Sequence, residues 1–300
     1  MSAPVGESPE GSMTVADPPA PITAREQQQI DAVNASGRPG VVLIHGLWAV
    51  ADGWSPWQEL LLEHGMTSVA VAWPREPETF ESALADPDAV AGVGIQEAAD
   101  HVAAVIAALD LPPFVVGHSF GGLLAQKVAG LGLARATVAI EPAPIKGVLP
   151  LPLPVLRASS PVLGNPANRS RAIRLTLPQF EYAWANGLGK EEARRLWETM
   201  HVAAPARPLF QAAAARFQPR SEAAVDLDNP ARGPLLIIGG EVDHLVAPAI
   251  NRATLKLQSR NPGPTEFREF PGRGHSIAID SGWREVADAV IAWLQENAGE

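Results

Sequence analysis

Phe114-Val115-Val116-Gly117-His118-Ser119-Phe120-Gly121-Gly122-Leu123-Leu124-Ala125-Gln126-Lys127-Val128-Ala129 is the stretch that decides the reading of this chain. An apolar, β-branched run stops at glycine, a serine follows, and helix-like periodicity resumes after two more glycines. A serine held on so sharp a strand-to-helix turn takes strained dihedrals, so its neighbours two residues away, Gly117 and Gly121, must be small. Its hydroxyl then stands clear at the C-terminal edge of a strand, beneath a helix N-terminus that favours developing negative charge. The bland alternative is a glycine-rich loop with an incidental serine, since short motifs also arise by chance. Gly122 and the strand-then-helix setting argue against that alternative.

Outward from this turn, short apolar runs alternate with helical patterns. Val41 to His45, Ser68 to Trp73, Phe114 to Val116, Thr137 to Ile140, Leu235 to Ile238 and Thr265 to Phe270 read as strands. Between them, Trp57 to His64, Ile95 to Leu109, Leu123 to Leu131, Pro248 to Gln258 and Trp283 to Gln295 carry helical periodicity. Val102, Val105, Ile106 and Leu109 form a stripe that reads as packing against a sheet. Fully apolar strands separated by helices predict an α/β fold, with a parallel sheet covered on both faces. Residues 142–230 break the alternation. They open on repeated Leu-Pro pairs from Pro144 to Pro161, which forbid a long helix, and then show helical patterns near Gln179–Asn186, Glu191–His201 and Leu209–Phe217. This predicts a helical cap over 142–230, inserted between the sixth and seventh strands of a core made of 25–141 and 231–300. A disordered tail is expected over 1–24, where Pro, Ser, Gly and acidic residues dominate.

The chain has 300 residues, a formal charge of -10 and no cysteine. That charge argues against a nucleic-acid partner. Without cysteine there are no disulfides, thiolate metal sites or cysteine nucleophiles. No apolar run reaches the roughly 18 residues of a membrane span, and the N-terminus lacks the basic and apolar regions of a signal peptide. A cytoplasmic protein is the expectation.

A serine hydroxyl needs a general base, and a carboxylate to orient it. Of the seven histidines, His118 adjoins the serine and is expected to point elsewhere, while His64, His101 and His201 read as surface, packing or cap residues. His275, in Gly272-Arg273-Gly274-His275-Ser276, follows the last strand on a glycine-rich loop and is the candidate base. Asp243, just past Leu235–Ile238, is the leading acid, with Glu241 and Glu141 as competitors. The oxyanion calls for the backbone N–H of Phe120 and one from the His45-Gly46-Leu47-Trp48 loop, where Leu47 is the first choice and Trp48 its rival. Gly46 lets that loop pass close to a substrate.

Together these residues resemble the cap-bearing branch of the α/β-hydrolase superfamily, with His45-Gly46 at the oxyanion loop. The likeness runs from about Gly40 to Gln295 and is carried by His45-Gly46, Gly117 to Gly122, Gly239-Gly240-Glu241-Val242-Asp243 and Gly274-His275. It implies a mostly parallel eight-stranded sheet, no cofactor or metal, and an acyl-enzyme mechanism with Ser119 as nucleophile, His275 as base and Asp243 as its orienter. The dehalogenases and epoxide hydrolases that look similar carry aspartate at the nucleophile position, so serine points away from both. The implied partner is a small-molecule ester. Lactone, thioester, amide and perhydrolysis chemistry use similar residues, and a non-catalytic binding protein is a further alternative. Trp48, Phe180 and Trp184 lead the candidate pocket walls, followed by Trp73, Tyr182, Trp197 and Phe210.

Overall fold

Runs of branched apolar residues make the strands, and where both faces are covered the burial is continuous rather than alternating. The computed structural model describes residues 19–297. Helix α1 (Ala24–Ser36) precedes β1 (Val41–Ile44), α2 (Ser55–Glu63) and β2 (Ser68–Val71). After α3 (Phe80–Ala85) and α4 (Ile95–Ala107) come β3 (Phe114–His118), α5 (Phe120–Gly130) and β4 (Ala136–Ile140). The inserted segment carries α6 (Leu153–Leu163), β5 (Ala172–Ile173), α7 (Leu177–Ala183), α8 (Lys190–Thr199), β6 (Ala204–Pro205) and α9 (Arg207–Ala214). The chain then returns through β7 (Leu235–Gly240), α10 (Pro248–Gln258), β8 (Thr265–Phe270) and α11 (Trp283–Glu296).

The main sheet is six-stranded in the order β2-β1-β3-β4-β7-β8, with every pairing parallel. β1, β3, β4 and β7 are buried at every position, whereas β8, at an edge, alternates. One core cluster gathers α4, α5 and the inserted helices against the sheet; a second gathers α2 and α11 on the opposite face.

Among the described residues the main sheet has six strands rather than the eight implied by the resemblance, so the inserted segment lies between β4 and β7, the fourth and fifth strands of that sheet, not between a sixth and a seventh. The physical reason is at the outer edge of β2. There the side chains of α1 satisfy the backbone groups that another strand would have paired. Ala70 N–H donates to Gln29 Oε1 at 2.9 Å, Ala72 N–H donates to Glu26 Oε1 at 3.0 Å, and Arg25 donates to the Ala70 carbonyl at 3.4 Å. Of the tail expected over 1–24, residues 1–18 lie outside the described residues; near its end Thr23 caps α1 by accepting from Glu26 N–H at 3.2 Å.

The inserted segment also departs from expectation. Its Leu-Pro repeats do not exclude an 11-residue helix α6, because Pro154 falls in the first turn, where no intrahelical N–H partner is needed, and Pro161 falls near the end. A two-stranded antiparallel pair, β5–β6, appears where no strand is expected.

Glu26 is fully buried and meets His101 of α4 at 3.0 Å. Burial pushes its carboxyl up, but His101 and the N–H groups of Thr23 and Ala72 outweigh this and hold it down at about 2. Burial likewise pulls His101 down, and Glu26 overrides it, so His101 sits above its ordinary value. Glu26 therefore adds stability above about pH 4.5 that is lost as pH falls through about 2. His101 adds stability below about pH 6.5 that is lost as pH rises through its folded value. Glu26→Gln is expected to cost about 3 kcal/mol, with the deficit greatest between about pH 4.5 and 6.5. Urea unfolding at pH 3, 5.5 and 9 checks this; a deficit independent of pH would show that the pair is not ionised.

Candidate active site

Ser119 is the residue at which β3 becomes α5, and it takes φ 56° and ψ -121°, a conformation costly for any residue with a side chain. Neighbouring strands hold it there: its N–H donates to the Ile140 carbonyl and its carbonyl accepts from Ala143 N–H, both at 2.9 Å. The smallness expected of Gly117 and Gly121 has a direct cause. A Cβ on Gly117 would overlap the Gly121 carbonyl, and one on Gly121 would run into the carbonyls of Ile44 and His45. Gly46 is under the same constraint, since its Cβ would lie 2.6 Å from Ser119 Cβ and 3.1 Å from Oγ. The His45-Gly46-Leu47 loop thus passes directly against the serine.

His275 follows β8 and is wholly buried. Its Nε2 lies 2.9 Å from Ser119 Oγ, and its Nδ1 lies 2.6 Å from Asp243 Oδ2. A carboxylate only accepts, so Nδ1 carries the proton and Nε2 turns its lone pair to the serine hydroxyl. The other Asp243 oxygen accepts from Leu245 N–H at 2.6 Å and Val246 N–H at 2.9 Å. Burial pushes the Asp243 carboxyl up, but His275 and these N–H groups win and hold it below its ordinary value.

Of the two rival acids, Glu241 is exposed and accepts from Gly272 N–H at 2.8 Å, while the ring nitrogen of His275 meets Asp243. Glu141 is buried beside Asp243. It accepts from Gly240 N–H and, at 2.7 Å, from Asn251. Burial, then the charge of Asp243, raises it well above the usual carboxylate range and so favours its neutral form. Two touching buried carboxyls do not both ionise, and the imidazole faces Asp243.

Three residues support this arrangement in ways the sequence did not assign: His118, expected to point elsewhere, Trp184, expected as a pocket wall, and Asn186. His118 is buried, held near pKa 3 by burial and by His275, and so neutral; it donates from Nε2 to the His275 carbonyl at 2.9 Å. The Trp184 carbonyl accepts from Ser276 N–H at 3.1 Å, and Asn186 donates to the Val242 carbonyl at 2.6 Å. The inserted segment therefore grips both loops on which Asp243 and His275 stand. His118 alone had a signal, its place inside the turn; the other two contacts join distant stretches with no motif.

In the His45-Gly46-Leu47-Trp48 loop, His45 Nδ1 meets the Gly46 carbonyl and its Nε2 the Glu76 carboxylate, both at 2.7 Å. Glu76 also accepts from Ala51 N–H at 2.8 Å and Trp73 N–H at 3.1 Å. Trp48, at φ 67°, donates from its indole to the Ile173 carbonyl at 2.9 Å. Trp48, Ser119 and Phe120 all line an open pocket, about 930 Å³ with the solvent at its mouth included, whose other walls are mostly apolar residues of the inserted segment and the Asp243 loop. Phe180 and Trp184, expected in its walls, do not line it. Both are buried against histidines instead: Trp184 sets its edge on His275 at 4.7 Å between ring centres, and Phe180 packs on His201 at 4.8 Å.

The model of the alpha/beta hydrolase family matches residues 41–289. Among solved structures, a monoacylglycerol lipase of Paleococcus ferrophilus is 22% identical over 87% of this chain and 96% of its own, with a TM-score of 0.59. A pyrethroid hydrolase from Sphingobium faniae is 17% identical over 86% and 97%, also at 0.59, and an Arabidopsis methylesterase 14% identical over 86% and 99%, at 0.57. At these identities the likeness is one of fold. No curated protein gives a significant match to the sequence. With the parallel sheet, the strained serine turn and the family match in agreement, the chain belongs to the alpha/beta hydrolase family.

Proposed function

We propose that this protein is a serine hydrolase of carboxylic esters that works through an acyl-enzyme, with residues 142–230 as a cap over the site. The observation that carries the reading is the unbroken relay from Asp243 Oδ2 through His275 to Ser119 Oγ, with contacts of 2.6 and 2.9 Å. Ser119 Oγ bonds to the ester carbonyl carbon while His275 Nε2 takes its proton, and the carbonyl electron pair moves to oxygen. The N–H groups of Phe120 and Leu47 receive that oxyanion, with Trp48 next along the same loop; each such donor lowers a barrier by about 3 kcal/mol. Asp243 stabilises the imidazolium meanwhile, which neutral Glu141 would not do. Collapse breaks the bond to the alkoxy oxygen, and the leaving alcohol takes the proton from Nε2. Water then repeats the sequence on the acyl-enzyme, releasing the acid and restoring Ser119. The ester-hydrolysing activities named for the lipase and methylesterase of like fold agree with this reading.

Ser119→Ala is expected to lower turnover of p-nitrophenyl esters about 10⁶-fold and to end labelling by a fluorophosphonate. Undiminished labelling would take the nucleophile's role from Ser119. A panel of esters, thioesters and lactones, run beside it, ranks the acyl bonds that the relay serves.

Asp243→Asn is expected to cost about 10⁴-fold in kcat, because the amide favours the wrong tautomer of His275. Glu241→Gln and Glu141→Gln are expected to stay within about tenfold of wild type, since the His275 ring meets Asp243 and neither of these carboxyls. Steady-state kinetics on the three variants decide the acid; a large loss in Glu141→Gln with a small one in Asp243→Asn would reassign it.

A further inference from the structure

We infer that the pocket beside Ser119 takes an unbranched aliphatic arm of the substrate, laid between α6 and α9, with the small residues of α9 setting how long that arm can be. This rests on the hydrolase reading above and adds a substrate class to it. α6 offers Val155, Ser159 and Leu163 to the pocket, four residues apart and so on one helical face. Opposite, Leu209, Ala212, Ala213 and Arg216 share one face of α9 and the turn after it. The space between the two faces is continuous with Ser119.

That space has almost nothing with which to recognise a polar group. Only Trp48, Ser119, Ser159 and Arg216 among its lining residues carry polar side-chain atoms. The Trp48 indole is spent on the Ile173 carbonyl at 2.9 Å, and the Ser159 hydroxyl on its own helix, at the Val155 carbonyl, at 2.7 Å. The Arg216 guanidinium lies over the ring of Phe217, 4.4 Å from its centre, and Phe217 is 71% exposed, so this charge stands at the mouth. Apart from the reactive serine, the interior is hydrocarbon. Leu149 and Leu151 line the same pocket while 63% and 54% exposed, which puts the outer end of the cleft between them. An aliphatic chain is the arm that gains from such a lining, at about fourfold in kcat/KM for each methylene withdrawn from water. Half-buried Ala212 leaves open space beside the cleft that a larger side chain would fill, with exposed Ala213 at its rim.

Two substrate series test this and tell the acyl arm from the alkoxy arm: p-nitrophenyl esters from acetate to dodecanoate, and alkyl acetates from methyl to dodecyl. In one series kcat/KM is expected to rise about fourfold per methylene until the cleft is full. Ala212→Phe is expected to lower the decanoyl-to-acetyl (or decyl-to-methyl) ratio by at least tenfold, and Ser159→Leu, from the opposite helix, to do the same. Binding of the intact decyl or decanoyl ester to Ser119→Ala, measured by calorimetry, is expected to follow the same chain-length order, independently of turnover. Flat profiles in both series, or equal loss on short and long chains in both folded variants, would overturn the inference. Absent fluorophosphonate labelling with chain-dependent binding retained would instead overturn the hydrolase reading and leave the aliphatic cleft standing.

Discussion

Carbonyl groups of neighbouring strands press against the turn at Ser119 from several sides, and that crowding organises the rest of the site. Gly121 rests on the Ile44 and His45 carbonyls, Gly117 on Gly121, and Gly46 on the serine itself. No position in that contact tolerates a Cβ, so the backbone comes close enough to hold a φ of 56° on a residue with a side chain. The parallel register does the aligning: Gly117 stands opposite Ile44 on one side and Ala139 on the other. The loops after β1 and β4 press on the serine directly, and those after β7 and β8 reach across to it with Asp243 and His275.

Much of this was legible in the sequence because it obeys short-range rules. The six runs named as strands are the six strands of the main sheet: the inner four are short apolar runs because both their faces are covered, and β8, at an edge, shows itself by alternation instead. The glycines around Ser119 announce a backbone contact without saying with what. The order Ser119, Asp243, His275 along the chain matches the order in which the strands deliver them to one edge.

What escaped prediction depends on contacts between distant stretches. Nothing in Gln29 or Glu26 says that each will cap the backbone of β2, so an edge closed by side chains looks in sequence like any amphipathic helix. Aromatic residues mislead in the other direction. Phe180 and Trp184 have the composition of pocket walls, yet their rings pack behind the site on His201 and His275, while leucine and alanine line the cavity. Glu141 and Asp243 both end strands of the sheet, and only the depth of burial and the direction of the imidazole separate a neutral acid from a charged one.

The two ends of the inserted segment differ in how freely they could be exchanged. Around Trp184 and Asn186 its backbone and side chains grip the loops of His275 and Asp243, so grafting a foreign segment here would unseat the very residues it is meant to cover. Around α6 and α9 the segment borders the site across an open cleft, and α9 is tied instead to the start of α4, where Gln211 accepts from Ile95 N–H at 3.0 Å. The inserted segment is thus indivisible at the 184–187 stretch, and redesign of the cleft has a natural seam: change the side chains that its helices turn toward the pocket and leave that stretch as it is.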